Sequence, residues 1–383
     1  MTKKNISVCF LTNYLTHHQE PFCLEMYKIL GKGFTLIETD ILPQERINLG
    51  YQSLGEKYNF VINATESTNA EREAMRISFE SDVVIIGSAP DRYIKERIKK
   101  NKLTFRCAER IFKMARIDPL RWLKHTIKNF PYRNKNMYYL LNSAYAAKDF
   151  VMCGAKRSKM YTWGYFPKYI EYNIDDLLSS KKEASILWVG RMIAFKHPDV
   201  ALSIVNRLKH EGYEVNLTIV GTGKMENTLK KEILEKKLGK YVTYIGAVSS
   251  DKVRNYMERS KIFLFTSDKR EGWGAVVNEA MNSGCTVIAC SAAGAIPCMI
   301  KNGQNGLIYE DGDYETLYLH VKQLLDSESY CKKLAIAGYE TIKSEWNAKN
   351  AAKKFIELVK MLQKNNGSNI YFQDGVASYA KYM

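Results

Sequence analysis

The chain has 383 residues, 46% of them hydrophobic and 26% charged. That is a globular composition, long enough for two domains with separate cores, and it excludes a disordered chain. No apolar run reaches the ~18–20 residues of a membrane-spanning helix, and a formal charge of +16 points towards anionic partners.

The opening, Met1-Thr-Lys-Lys-Asn, is basic and leads into a short apolar stretch without a small-residue cleavage site. This predicts a first strand over Ile6–Thr12 rather than a signal peptide, and a cytoplasmic protein. A helix is expected over Pro21–Leu30, then strands over Phe34–Thr39, Asp82–Gly87 and Asp149–Cys153. Strands alternating with helices predict a parallel sheet covered on both faces. The eight cysteines are scattered. They read as small buried hydrophobes rather than a zinc site on Cys285, Cys290 and Cys298, so no metal and no cofactor is expected.

Between Lys95 and Lys168 stand 19 Lys/Arg against only Glu96, Glu109, Asp118 and Asp149. Such a patch suits an anionic membrane face, nucleic acid or a phosphate-bearing acceptor, or it is a solvated surface. Within it, Ile111–Asn136 interleaves cations with Trp122, Leu123, Ile127 and Phe130. Two readings stay open: a segment lying at the inner face of a membrane, and an amphipathic helix packed on its own domain.

Gly164, Pro167 and the polar run Asp175–Glu183 mark a linker, 166–184, between a first domain (1–165) and a second (185–345). A second α/β cycle follows. Strands are expected at Ser185–Gly190, Val215–Gly221, Val242–Gly246, Ile262–Thr266 and Thr286–Ala289. Helices are expected at Pro198–Lys209, Lys224–Lys237, from about Asp251, and at Val276–Ser283. Residues 346–383 carry a terminal helix, Ala348–Leu362, and a tail. The fold class is thus α/β, with two Rossmann-like doubly wound domains facing a cleft, where open α/β sheets bind ligands.

Each strand of the second half ends in groups suited to an anion. After the first come Gly190, Arg191 and Lys196, able to converge on a diphosphate or to be two surface cations near a helix start. Gly221-Thr222-Gly223 opens the next helix, which is either an anion-binding turn or a plain one. Ser267–Met281 places Glu271 before a glycine turn and Glu279 eight residues later in a helix. Backbone N–H groups there can meet phosphate oxygens, and the two carboxylates can accept from sugar and ribose hydroxyls.

From Ile186 to Leu325 the chain resembles the donor domain of the family-4 retaining glycosyltransferases, which have the GT-B fold. The resemblance rests on Gly190-Arg191 with Lys196, Gly221-x-Gly223-x-x-Glu226, and the Glu271-x7-Glu279 element. It continues through Ala280–Ala289, Gly294–Pro297 and Asn302–Ile308, with Cys285-Thr286 where the family often has a proline. It implies that Arg191 and Lys196 hold the diphosphate of a nucleotide-sugar, UDP- or GDP-linked, and stabilise it as leaving group. Glu271 would contact the transferred sugar, the amides of Gly272, Trp273, Gly274, Ala275 and Val276 would meet sugar and phosphate, and Glu279 would hold the ribose. Ala247 and Val248 would lie against the base, and the terminal helix would cross back to the first domain. The acceptor, a saccharide or lipid-linked sugar of cell-surface polysaccharide synthesis, is expected at His17, His18, Ser88, Arg106 and Glu109. The alternative from another class, a non-catalytic basic nucleotide- or nucleic-acid-binding protein, would need base-stacking aromatics on its basic face and leaves the Glu271-x7-Glu279 element unexplained, so no nucleic acid is expected. A GT-B epimerase or phosphorylase stays an open alternative.

Overall fold

The structure, a computed structural model, describes residues 6–48, 52–113, 117–364 and 372–383. The chain forms two compact units, Met1–Lys168 with Glu345–Met383, and Tyr169–Ser344.

The first unit is built on a seven-stranded sheet of order β3-β2-β1-β4-β5-β6-β7. Its strands are β1 (Val8–Thr12), β2 (Phe34–Glu38), β3 (Val61–Asn63), β4 (Val83–Ile86), β5 (Thr104–Ala108), β6 (Met137–Leu141) and β7 (Met160–Thr162). All pairings are parallel. Strands β1, β4 and β6 are buried at every position. Helices cover both faces of such a sheet, so its strands carry continuous apolar runs instead of alternation. The expected strand over Asp149–Cys153 is instead part of a helix, Ala146–Met152, which buries Ala146, Ala147 and Phe150. A short apolar run cannot be told from a buried helical turn by its periodicity.

The helix Ala348–Lys364 belongs to this unit. Phe355 packs there between Phe22, Phe105 and Trp163, with ring centroids 6.3, 5.1 and 6.1 Å away. Beyond it, the tail runs along the edge strand β7. The amide of Thr162 donates to Ser378 O (2.8 Å), and the amides of Ala377 and Ala380 donate to Thr162 O and Met160 O (2.8 and 3.0 Å). The tail thereby covers an edge that would otherwise present unpaired main-chain groups.

The second unit carries a six-stranded sheet of order β10-β9-β8-β11-β12-β13. Its strands are β8 (Ser185–Val189), β9 (Asn216–Val220), β10 (Val242–Gly246), β11 (Ile262–Phe265), β12 (Thr286–Cys290) and β13 (Leu307–Tyr309), again all parallel. From Tyr169 the expected linker is part of this unit and contains a helix, Ile174–Ser179. Its polar composition marks an exposed helix rather than a free connection. In both sheets the strand order reverses beside the first strand, at β1/β4 and β8/β11, which is where ligands of open α/β sheets bind.

Each unit buries one cation among main-chain carbonyls. Arg97 is fully buried and donates to the carbonyls of Ser78, Phe79, Ser81, Asp82 and Leu103 at 2.6–3.3 Å. Lys181 Nζ lies 2.7–3.1 Å from the carbonyls of Met257, Glu258, Ser260 and Ser283. Both close the last turn of a helix, Thr68–Glu80 and Ser250–Arg259, whose final carbonyls have no intrahelical partner. Burial pushes the Arg97 pKa down to about 10 and that of Lys181 below its usual value. No helix among the described residues is long and apolar enough to cross a membrane. The eight cysteines carry free thiols, six of them buried.

Candidate active site

At the carboxyl edge of the second sheet, the loops after β8, β9 and β10 are tied by main-chain hydrogen bonds. Gly190 N donates to Val220 O (3.0 Å), Met192 N to Thr222 O (2.8 Å), and Gly221 N to Gly246 O (2.8 Å). Two glycines are required by this close approach. A Cβ on Gly221 would stand 1.9 Å from Gly190 O, and one on Gly223 would stand 2.5 Å from Met192 O. The Gly-x-Gly turn therefore joins two loops, whatever else its amides contact.

The β8 loop ends in a short 3-10 turn, Ala194–Lys196, followed by His197 in the left-handed region at φ 49°. The loop after β11 locks onto this turn. Thr266 Oγ1 donates to Lys196 O (2.6 Å), Trp188 Nε1 donates to Thr266 Oγ1 (2.8 Å), and Asp268 N donates to Phe195 O (3.0 Å). Lys196 and Glu271, brought from separate loops, form an ion pair in which each side chain keeps only 15% of its exposure. Arg191, five residues before Lys196, is exposed and has no ion-pair partner among the described residues. Asp268 is the hub behind this pair. Its Oδ2 lies 3.2 Å from His197 Nε2, and Arg270 Nε donates to both carboxylate oxygens at 3.0 and 3.1 Å. Burial alone would raise the Asp268 pKa, but hydrogen bonds from Arg270 and His197 outweigh it and hold the carboxyl below its usual range.

Glu279 lies in the helix Val276–Asn282, and burial raises its pKa against the pull of Arg254. The Arg254 guanidinium donates to Glu279 O, Asn282 Oδ1 and Ser283 Oγ at 3.0–3.2 Å. Trp273 is 1% exposed and donates through Nε1 to Asn278 Oδ1 (3.1 Å). Its ring is core, which leaves only its main chain facing a ligand. Gly274, at φ 96°, would drive a Cβ to 2.5 Å from the Phe265 ring, so the turn admits no side chain there. Ala247 is exposed and Val248 half-buried in the loop after β10. Asp268, His197 and Arg254 are members of the site that the sequence alone does not reveal. Asp268 lies three residues before Glu271, but its partner His197 comes from another loop, and no spacing marks that.

In the first unit, His17 and His18 follow β1 with ring centroids 3.8 Å apart. Burial, and secondarily His17, push the His18 pKa down to about 3, so its ring is neutral at pH 7. Its Nδ1 is buried without a hydrogen-bond partner among the described residues. The Tyr165 ring lies 6.1 Å from that of His18, and Tyr165 Oη donates to Glu109 Oε1 (3.0 Å). Lys113 Nζ donates to Glu109 Oε2 (2.6 Å). His17, His18, Tyr165 and Glu109 are thus one cluster, to which the structure adds Tyr165. Arg106 does not belong to it. It lies within β5, 6% exposed, and donates to Asp91 Oδ1 (2.9 Å), so the guanidinium expected at the acceptor is committed to an ion pair. Ser88 is exposed, and nothing ties it to the cluster.

Two doubly wound parallel sheets, the second with cations and carboxylates gathered at its switch point, define the GT-B class of architecture. Residues 170–341, nearly the whole of the second unit, match the family "Glycosyl transferases group 1". The chain is 26% identical over 215 residues to an amylovoran biosynthesis glycosyltransferase, AmsK, of Erwinia amylovora, covering 55% of this chain and 52% of that protein. It is 26% identical over 162 residues to a capsular polysaccharide biosynthesis glycosyltransferase, CapM, of Staphylococcus aureus, covering 42% of each. The matched region thus spans about half the length of these curated relatives or less. In fold the chain is similar to Anabaena HepE solved with UDP, at TM-score 0.71 and 13% identity over 93% of this chain and 100% of that one. A glycosyltransferase of Rickettsia africae gives TM-score 0.67 and 19% identity over 94% and 100%.

Proposed function

We propose that the chain transfers a glycosyl group from a UDP- or GDP-sugar to a hydroxyl of a saccharide or lipid-linked acceptor in polysaccharide synthesis. The anomeric configuration is retained and no metal takes part. The observation that carries this reading is the Lys196–Glu271 pair, drawn from two loops at the switch point of the second sheet. Support for the donor class comes from HepE, solved with UDP and with UDP-glucose, and for the pathway from the relatives named for amylovoran and capsule synthesis.

In the reaction, the bond between the anomeric carbon and the diphosphate oxygen breaks while the acceptor oxygen bonds to the same face of that carbon. The acceptor's proton passes to the departing phosphate oxygen. Negative charge grows on the diphosphate, where Arg191 and Lys196 act as fixed cations; preorganised stabilisation of this kind usually contributes most to catalysis. Lys196 and Glu271 are already largely removed from water. Donor binding exchanges their mutual bond for one from Lys196 to phosphate and others from sugar hydroxyls to Glu271, so little new desolvation is needed. Glu279 accepts from the ribose diol. In the first unit, the neutral His18 and Glu109 are the acceptor-binding groups, able to accept hydrogen bonds from hydroxyls.

The test is a thermal-shift screen of UDP, GDP and their sugars, followed by nucleoside diphosphate release with and without a saccharide acceptor. Stabilisation by one nucleoside diphosphate and its sugars is expected. Indifference to all of them rejects the donor site, and an altered free sugar or a sugar phosphate as product rejects transfer.

A further inference from the structure

The helix Pro119–Asn129 in the first unit is oriented against the usual rule. It is well formed: Asp118 Oδ1 accepts from the amides of Leu120 and Arg121 (2.9 and 3.4 Å), and a proline stands at its start. A surface helix ordinarily turns its apolar stripe to the core. Here Leu120, Leu123 and Ile127, with Phe130 just beyond, recur at helical spacing and are 79%, 48%, 66% and 57% exposed. The face that meets the unit is the other one. Asn129 is buried, Tyr139 Oη donates to its Oδ1 (3.5 Å), and Trp122 Nε1 donates to Met152 O (3.0 Å). Packing of the stripe on its own domain, one of the two readings of this segment, is therefore not what the chain does. Residues 114–116 of that segment lie outside the described residues.

The charges around the stripe select its partner. No Asp or Glu occurs from Pro119 to Lys148, a stretch rich in Lys and Arg. Arg121 and Lys124 are exposed on the helix itself, while Lys128 is engaged with Asp91 at 3.4 Å. A second copy of the chain, docked by the same face, would bring these cations against one another. Apolar side chains rimmed by cations match the boundary between headgroups and acyl chains of a bilayer that contains acidic lipid.

We propose that this helix lies in the surface of an anionic bilayer, with Leu120, Leu123, Ile127 and Phe130 in the acyl region and Arg121 and Lys124 at the headgroups. This goes beyond the reading of the second unit and is independent of it. The experiment uses the full chain with vesicles of phosphatidylcholine alone or mixed with phosphatidylglycerol, at low and high salt. Two exposed-site variants accompany it, Leu120→Gln with Ile127→Gln, and Arg121→Gln with Lys124→Gln, each checked for unchanged melting. The wild type is expected to float with the mixed vesicles only, and less at high salt. The charge variant should partition about 30-fold more weakly, at ~1 kcal/mol per cation, and the apolar variant at least about 10-fold. Thermal shift by nucleotides serves as an internal control and should be the same in all three proteins. Equal binding to both vesicle types, or undiminished binding by the apolar variant, overturns the proposal. So does a dimer that the apolar variant disperses, in a protein that binds no vesicle.

Discussion

The two units are built to one plan, yet the edges at their switch points differ in charge state. In the second, Lys196 and Glu271 are ionic and pair across two loops, and Asp268 and Arg270 pair within one of them. In the first, the corresponding position after β1 holds His18, whose ring burial keeps neutral, close to a tyrosine that hydrogen-bonds Glu109. One edge carries an ion pair made across two loops; the other carries a neutral imidazole ring and a carboxylate paired with Lys113. The scaffold supplies the place, and the loops supply the chemistry.

Where the units agree most closely is in the buried cation that ends one helix of each. Arg97→Met and Lys181→Met each strand several buried carbonyls, at ~1–3 kcal/mol per unsatisfied group. Each should lose about 3 kcal/mol or more in urea unfolding. A loss below about 0.5 kcal/mol in either, the size of an ordinary surface change, would show that the two sites are not equivalent. The next largest effect separates the units. Glu271→Gln or Lys196→Ala should lower turnover by ~10²-fold or more, the size of a lost transition-state contact, without altering urea stability as strongly. Nucleoside diphosphate release at the wild-type rate in both would remove the proposed site.

A smaller effect tests the joined loops of the second unit. Gly221→Ala meets Gly190 O, whereas Gly212→Ala, at φ 85°, meets open space. The second should cost about 1 kcal/mol, the left-handed penalty alone. The first should cost clearly more and also weaken donor-induced thermal shift; equal costs would mean the loops part freely. A further test belongs to the first unit and concerns pH. Unfolded, His18 takes a proton near its ordinary 6.5; folded, it resists until about 3. The unfolded chain thus binds more protons in that window, so stability falls as pH drops from 6.5 towards 3. His18→Asn should flatten this part of a stability–pH profile. A slope identical to wild type would show that the buried ring is not its source.

Most of the second sheet is legible in the sequence because its strands are apolar runs bounded by glycine and polar turns. The first is less so. Its strand β6, Met-Tyr-Tyr-Leu-Leu, is hidden inside the acid-poor basic stretch, while Asp149–Cys153 offers an apolar run of strand length that the chain uses as helix. Strand β5 is hard to see because Arg106 is a residue type of exposed positions, and only the Asp91 partner explains a guanidinium in a strand. Glu271 and Lys196 are legible as types in a spacing. Their pairing, and the hold of Asp268 on His197, join residues about 70 positions apart, and a single sequence carries no trace of such a contact.

The tail that covers the edge of the first sheet has a temporal consequence. The second unit is one continuous segment, whereas the first is completed by residues 345–383. During synthesis the later-encoded unit has all its residues before the earlier one receives its last helix. The nascent first unit therefore waits with the outer edge of β7 uncovered and the Phe355 socket vacant while its neighbour folds, the reverse of the usual N-terminal-first order.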